Sequence, residues 1–542
     1  MTEPPIRRAE WLIVLAGCAA ASLAAAVWSW QHGAMLNYGD AVAHLHIARR
    51  VIDSHRPGLS QLGSVWLPLP HLLMIPFVAV FAWWANGLAG LIPSTLAYLA
   101  GCLGIYKLAR HWLAPQTSAL AVAFFALNPN LLYMQTTAMT EPLFLCEMIW
   151  ASVWLVEWRV NLVRTDAHTK QRRSNRLLFL IALALSSAVF TRYDGWVMAF
   201  LAWVAIGLSL ARRDKLRSPA FWLASILVVA SPMVWFAYNA VVFGDWLDFI
   251  RGPYSAMAIE LRTASPGGGP PHPGWHDPWM SLEFFIKASE MDAAAAAWGN
   301  WLLALSSIGT VWAWLTHRRH AFLWSMLLWL PIPFYAYSVA YGSVPIFLPP
   351  WWPHSWYNTR YGLELLPALA LGIGFFAQFV TAAVREFKPR WARYALAAMS
   401  VLIVANVAMV MRERPLVFVE GTKNIASRFT YDIQIPPVMR ALIASHPGGN
   451  VLMNTSVHPE LVAFSGISLR QTINESDREF YQAALAAPAS HAAIVLAFDG
   501  DEIDRAVRTH PEGLKPAAHF QMQDEPTGTI YVSDTPSQAS HP

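Results

Sequence analysis

The feature that most constrains this chain is a series of apolar runs long enough to cross a lipid bilayer. A helix rises 1.5 Å per residue, so about 20 residues span a hydrocarbon core of roughly 30 Å. Runs of that order occur at about 11–31, 88–110, 117–136, 142–162, 177–191, 195–211, 219–241, 295–316, 321–341, 361–381 and 394–411. In hydrocarbon every backbone polar group must be paired internally, so runs this long and continuous read as helices. The expected fold is a polytopic α-helical membrane protein with about eleven transmembrane helices. A twelfth stretch, around 68–84, is interrupted by Pro68, Pro70 and Pro76. Proline breaks regular helix, so this stretch reads as a re-entrant or interfacial helix on the outer side.

Composition agrees. Hydrophobic residues make up 56% and charged residues 13%, about half the charge of a typical soluble domain. Trp28, Trp30, Trp83 and Trp84, among 27 tryptophans, sit near expected helix ends, where an amphipathic ring anchors at the interface. A net charge of +4 in short loop clusters does not suggest nucleic-acid binding. Cys18, Cys102 and Cys146 lie in apolar segments without zinc-ligand spacing, which argues against a disulfide framework. The run at 11–31 follows Arg7 and Arg8 and resembles a signal peptide, but its length favours a retained first helix.

Cytoplasmic loops are enriched in Lys and Arg. With the N-terminus in the cytoplasm and 68–84 not spanning, the inner segments hold 20 of the 38 Lys and Arg. The outer segments of the membrane part hold eight, and ten lie beyond residue 411. The expected orientation is therefore N-terminus cytoplasmic and C-terminus periplasmic or extracellular. Residue usage suggests a bacterial inner membrane. Three outer loops stand out, at about 32–87, 242–294 and 342–360. Ser265–Gly274 is rich in Gly and Pro and reads as a mobile loop or lid.

Character changes after 411, dividing the chain into a membrane domain, 1–411, and an extracytoplasmic α/β domain, 412–542. Strand-length runs occur at 450–454, 492–498, 520–523 and 529–532, with helical patterns at 475–485 and 502–510. The triplets at Asn454 and Asn474 match a glycosylation acceptor, but such triplets are common by chance.

Charge is costly beside a membrane, so acids and bases at helix ends invite a functional reading. Asp40, in Tyr-Gly-Asp, either caps a helix or acts as a catalytic carboxylate. His44 lies one turn on and reads as a hydrogen-bonded structural histidine sooner than as a metal ligand. Glu141, in Thr-Glu-Pro-Leu, suits a helix N-terminus by the dipole alone. Glu147 is deeper in the same apolar helix and needs an internal partner or a proton. Arg192 and Asp194 either form a local ion pair or offer a guanidinium to a phosphate. Arg360, near Tyr357, opens a late helix, where the dipole disfavours a cation. It needs an anion, either Glu364 one turn on or a ligand phosphate. Carboxylates and arginines on one membrane side suit activation of a hydroxyl and release of a phosphate.

The order of these motifs resembles the GT-C fold glycosyltransferases, in particular the branch of protein O-mannosyltransferases and the lipid A aminoarabinose transferase. The matching features are Asp40 in the first outer loop, Val65–Leu73 as interfacial segment, Glu141 after the third helix, Arg192 before the sixth, and Arg360–Ala370 opening a late helix. The resemblance covers roughly 10–411. The first motif has a single Asp where an Asp-Glu pair is expected. The resemblance implies an inverting hexosyl- or pentosyltransferase using a polyprenyl-phosphate-linked sugar and a lipid, glycan or protein acceptor, surrounded by membrane lipids and without nucleic acid. Asp40 would be the general base, and Glu141 would orient acceptor or base. Arg192 and Arg360 would bind the donor phosphate, with His44, Asp194 and Tyr357 in support. A divalent cation, Mg or Mn, on Asp40 and Glu141 is left open. The main rival is a transporter or flippase of a lipid-linked sugar, which would bind near the bilayer midplane, often between repeated halves. The other is an envelope scaffold, for which eleven helices exceed an anchor's needs.

Overall fold

Several helices begin at prolines, as at Pro115, Pro129, Pro219, Pro278 and Pro331, whereas Pro76, Pro93 and Pro232 lie inside helices. In a computed structural model the described residues are 6–163, 167–212, 216, 218–263, 270–317, 322–426, 429–521 and 526–534. The first helices are α1 (Arg8–Gln31), α2 (Gly39–Arg50), α3 (Leu69–Val78), α4 (Phe81–Asn86) and α5 (Leu88–Ala109). Next come α6 (Pro115–Ala126), α7 (Pro129–Met134), α8 (Glu141–Val163), α9 (Ala167–Thr191), α10 (Asp194–Ala211) and α11 (Pro219–Phe243). After the short α12 (Asp248–Arg251) and α13 (Ala256–Thr263) come α14 (Pro278–Ala293), α15 (Gly299–His317) and α16 (Pro331–Tyr341). The helical series closes with α17 (Leu366–Phe387), α18 (Ala392–Glu413) and α19 (Leu416–Ala426) before the sheet-bearing segment.

The eleven apolar runs are helical throughout most of their described length. Seven helical stretches among the described residues are long and apolar enough to cross a membrane by length and composition: Arg8–Gln31, Leu88–Ala109, Gln171–Thr191, Asp194–Ala211, Pro219–Phe243, Thr359–Phe387 and Pro389–Ile425. The other four runs depart for legible reasons. The run at α8 carries Glu147, Glu157 and Arg159, and α15 mixes Ser, Thr and Gly among its apolar residues. The remaining two are interrupted before Pro129 and Pro331. The ambiguous stretch is α3 and α4, ten and six residues. At 1.5 Å per residue, α3 covers roughly 15 Å, half a bilayer core, so it does not span. Exposed apolar side chains such as Leu223, Ile226 and Val229 on α11 and Val401 and Val404 on α18 suit contact with lipid.

Residues cluster into two compact units. The first is 1–32, 64–70 and 93–420; the second is 33–63, 71–92 and 421–542. Within the first, small residues let helices approach where lipid supplies no hydrophobic drive for association. A Cβ on Gly309 of α15 would fall 2.0 Å from the carbonyl oxygen of Gly372 on α17. Between α5 and α8, a Cβ on Gly104 would lie 2.6 Å from Ile149.

The second unit holds α20 (Phe429–Ser445), β1 (Val451–Leu452), α21 (Glu460–Phe464), β2 (Thr472–Ile473), α22 (Glu479–Ala486), α23 (Pro488–His491), β3 (Ile494–Phe498), α24 (Glu502–Thr509), β4 (Leu514–Phe520) and β5 (Gly528–Ser533). The sheet order is β2-β1-β3-β5-β4. β1 is parallel to β2 and β3, and β5 is antiparallel to β3 and β4. The α/β reading of the C-terminal residues thus matches the observed elements. The expected strand at 520–523 is replaced by β4, and residues 522–525 lie outside the described residues. Dividing the sequence at 411 placed 33–63 and 71–92 with the membrane part, whereas these segments cluster with the sheet. His55 Nε2 lies 3.0 Å from the Thr472 carbonyl oxygen, and the Arg470 amide donates to Asp53 Oδ1 at 3.4 Å. Arg56 sits 5.0 Å from the Phe480 ring centre.

Part of the expected lid, residues 264–269, lies outside the described residues, as do Arg164, Arg213, Lys215, Arg217, Arg318 and Arg319 of the basic clusters. The described remainder of that loop is a turn with His272 buried, its Nε2 3.3 Å from Glu260 Oε1.

Candidate active site

Three helix junctions of the first unit bring their charges together. The first is the entry to α8, where Glu141 is its opening residue and is 1% exposed. The second is the turn between α9 and α10. Gly195 allows that turn to be tight, because a Cβ there would fall 2.2 Å from the Ala188 carbonyl oxygen. The turn leaves Arg192 at the C-terminal end of α9, which favours a cation, and Asp194 at the start of α10, which favours an anion. The third is the 3-10 turn Thr359–Leu365 that leads into α17.

Arg192 is the hub. It donates from Nη1 to Glu141 Oε1 and Thr140 Oγ1, each at 3.1 Å, and from Nε to Asp194 Oδ2 at 3.2 Å. Its Nη2 donates to the Tyr335 hydroxyl at 2.9 Å and lies 2.9 Å from Glu364 Oε1. That hydroxyl is 2.7 Å from Glu364 Oε1 and 3.3 Å from Asp194 Oδ2. Arg360 donates from Nε to the same Glu141 Oε1 at 3.1 Å and from Nη1 to Glu420 Oε1 at 2.9 Å. Both guanidinium groups also lie over the Tyr361 ring, Arg192 at 5.0 Å and Arg360 at 5.2 Å from its centre. Tyr335 stacks on Tyr361 and on Phe285. Charge-assisted bonds of this kind in a buried setting are strong, and leaving one partner alone is costly.

Glu420 removes the dipole problem at Arg360. Its carboxylate accepts from the amides of Asn358 and Thr359, each at 2.9 Å, and so puts an anion at the start of the 3-10 turn. The expected one-turn partnership of Arg360 with Glu364 assumes α-helical spacing. With three residues per turn in a 3-10 helix, position i+4 is rotated away from i. Glu364 therefore meets Arg192 and Tyr335, and Glu141 and Glu420 take up Arg360. Glu147 finds the internal partner its depth requires, accepting from Thr191 Oγ1 at 2.9 Å.

The structure thus brings together Glu141, Arg192, Asp194, Arg360 and Glu364 of the residues the sequence singled out. Tyr335, Thr140 and Glu420 were missed. Glu420 carries a weak signal as the acid that closes the apolar segment Leu416–Val419, with Glu413 closer to the last long run. Tyr335 carries none among so many aromatics. Tyr357 is half exposed and pairs through its backbone with Phe347 as an isolated antiparallel bridge.

Asp40 and His44 belong to the second unit. Asp40 sits in the first turn of α2 and is partly buried. His44 is buried, and its Nδ1 is 2.8 Å from His71 Nε2. Among the described residues no three His, Cys, Asp or Glu side chains are grouped to hold a metal ion. Two guanidinium groups already sit on Glu141 Oε1, surroundings that oppose a divalent cation at that atom.

No protein-family model matches the sequence, and no curated protein matches it. Solved structures do. The chain is similar to crystal structures of ArnT from Cupriavidus metallidurans, bound to undecaprenyl phosphate and in the apo state. With the bound form it shares 14% identity and a TM-score of 0.55, over 96% of this chain and 99% of ArnT. With the apo form the identity is 14% and the TM-score 0.53, over 95% and 98%. A third likeness is to an apo oligosaccharyltransferase from Archaeoglobus fulgidus, at 10% identity and a TM-score of 0.50, over 90% of this chain and 69% of that one. The chain has the GT-C fold of membrane glycosyltransferases.

Proposed function

We propose that this protein is a glycosyltransferase that moves a sugar from a polyprenyl-phosphate-linked donor to an acceptor hydroxyl on the extracytoplasmic face of the membrane. The observation that carries this reading is the full-length likeness to ArnT, one of whose structures holds undecaprenyl phosphate. The buried arginine cluster suits such a donor, because a departing lipid phosphate needs cations placed in advance.

In this reading Asp40 accepts the proton of the acceptor hydroxyl. The hydroxyl oxygen then forms a bond to the anomeric carbon as the bond from that carbon to the donor phosphate breaks, with inversion. The electron pair leaves on the phosphate, and Arg192 and Arg360 stabilise its charge. Glu141 holds both guanidinium groups through one oxygen, so its part is to position them. In the structure both arginines already hold carboxylates, so a donor phosphate must take the place of one of them or act beside it.

The test uses purified protein, a polyprenyl-phosphate sugar and a panel of hydroxyl acceptors, following release of the polyprenyl phosphate and formation of a glycosidic bond. Transfer supports the proposal. Movement of the intact donor across sealed vesicles, with no new glycosidic bond, would support the transporter reading in its place.

A further inference from the structure

A second polar site lies at the opposite ends of the helices that form the arginine cluster. Glu157 is 16 positions after Glu141 on α8, which at 1.5 Å per residue is roughly 24 Å along the axis. A cavity of about 400 Å³ opens there, lined by Lys107 of α5, Trp154 and Glu157 of α8, and Arg173, Arg176, Leu177 and Leu180 of α9.

The lining is amphipathic in a definite way. Three cations face one carboxylate. Lys107 Nζ is 2.8 Å and Arg173 Nη2 is 3.7 Å from Glu157. Among the described residues Arg176 makes no hydrogen bond or ion pair. The cavity therefore carries a formal surplus of two positive charges. Trp154, Leu177 and Leu180 supply an apolar wall. One turn further along α9, Leu183 and its neighbour Phe179 are exposed apolar side chains, a surface that suits acyl chains. A soluble anion needs only the cations, whereas an amphiphile uses the cations and the apolar wall together.

We propose that this cavity binds the headgroup of an anionic phospholipid, with the phosphate against Arg173 and Arg176 and the acyl chains along Leu180 and Leu183. A basic residue beside a lipid phosphate contributes on the order of a fivefold change in affinity. The experiment uses the full-length protein in neutral detergent, titrated by native mass spectrometry with phosphatidylglycerol and with phosphatidylcholine of the same acyl chains. One saturable phosphatidylglycerol adduct is expected, at least fivefold tighter than phosphatidylcholine. Arg176→Gln is expected to weaken it about fivefold, and Arg173→Gln with Arg176→Gln about 25-fold. Both arginines are exposed, and an unchanged elution profile on size exclusion shows that the variants stay folded. Leu180→Gln, which leaves every charge in place, is expected to weaken it as well. Equal binding of the two lipids, or arginine variants that bind as the wild type does, would overturn the proposal. Displacement of the lipid by millimolar inorganic phosphate would also overturn it, in favour of a soluble anion.

Discussion

Arg192 Nη1 lies 3.1 Å from Glu141 Oε1, joining residues 51 positions apart, and Arg360 donates to that same oxygen at the same distance. One buried carboxylate oxygen therefore ties the entry of α8 to the α9–α10 turn and to the turn before α17. Removing it leaves two guanidinium groups short of an anion. Glu141→Ala is expected to cost about 3–5 kcal/mol, the range for breaking a buried ion pair. Glu141→Gln, which keeps a hydrogen-bonding oxygen, should cost less. Thermal unfolding followed by loss of monodisperse protein checks both, and equal stability of Glu141→Ala and wild type would show that the pair does not hold the junctions.

Tyr335 offers a milder probe of the same cluster. Its hydroxyl accepts from Arg192 and lies within hydrogen-bond distance of Glu364 and Asp194. Tyr335→Phe keeps the stacking on Phe285 and Tyr361 and removes only the oxygen. A loss of about 1–3 kcal/mol is expected, the cost of buried polar groups that lose a partner. The double variant with Asp194→Asn should show a smaller loss than the two single losses added, because the groups share one network.

Helix packing was readable in the sequence only as apolar length. Eleven apolar runs marked the helices; Pro68 and Pro70 mark where the short α3 begins, but Pro76, expected to break the stretch, lies inside α3, which ends at Val78 without a proline. Which faces meet depends on glycines that look ordinary in a row of small residues. Gly309 is the sharpest case, since a Cβ would fall 2.0 Å from the Gly372 carbonyl oxygen. Gly309→Ala is expected to destabilise by about 1–3 kcal/mol or more through overpacking against backbone. Gly17, with open space around its Cβ position, should tolerate alanine, and comparing the two unfolding curves separates packing from helix propensity.

The second unit carries a pH response. His46 is buried against Trp84, and its pKa is pushed down to about 3, first by burial and then by the nearby Arg50 charge, with Glu460 opposing. A histidine depressed on folding binds its proton more readily when unfolded. Its contribution to stability is therefore complete above pH 6.5 and is lost as pH falls toward 3. By pH 5 the loss is about 2 kcal/mol. Asp477, raised to about 6 by burial, acts in the opposite sense between its ordinary value and pH 6. The window from 6.5 to 6 is therefore governed chiefly by His46. Unfolding measured from pH 7.5 to 5 should show a decline confined chiefly to pH 6.5–6, the two groups nearly offsetting each other below pH 6, and His46→Gln should remove that decline. An unchanged slope in His46→Gln would rule out His46 as the source.

The candidate site was partly legible because charge is rare in this chain. Asp40, Glu141, Arg192, Asp194 and Arg360 stand out against apolar surroundings, and four of the five meet in one buried cluster. Their pairing was not legible. It depends on a 3-10 turn where α-helical spacing was assumed, and on Glu420, a residue on the far side of the division drawn at 411. The joining of 33–63 and 71–92 to the C-terminal sheet was hidden for a similar reason. It rests on hydrogen bonds such as His55 to Thr472, between residues more than 400 positions apart, and nothing in local sequence announces such a contact.

The most direct measurement is the turnover of Asp40→Asn with a polyprenyl-phosphate sugar donor. The substitution keeps size and shape and removes the base. The account predicts that sugar transfer falls by a factor of about 10²–10⁴, while the protein elutes and unfolds as the wild type does. Wild-type turnover in a folded Asp40→Asn protein would contradict it.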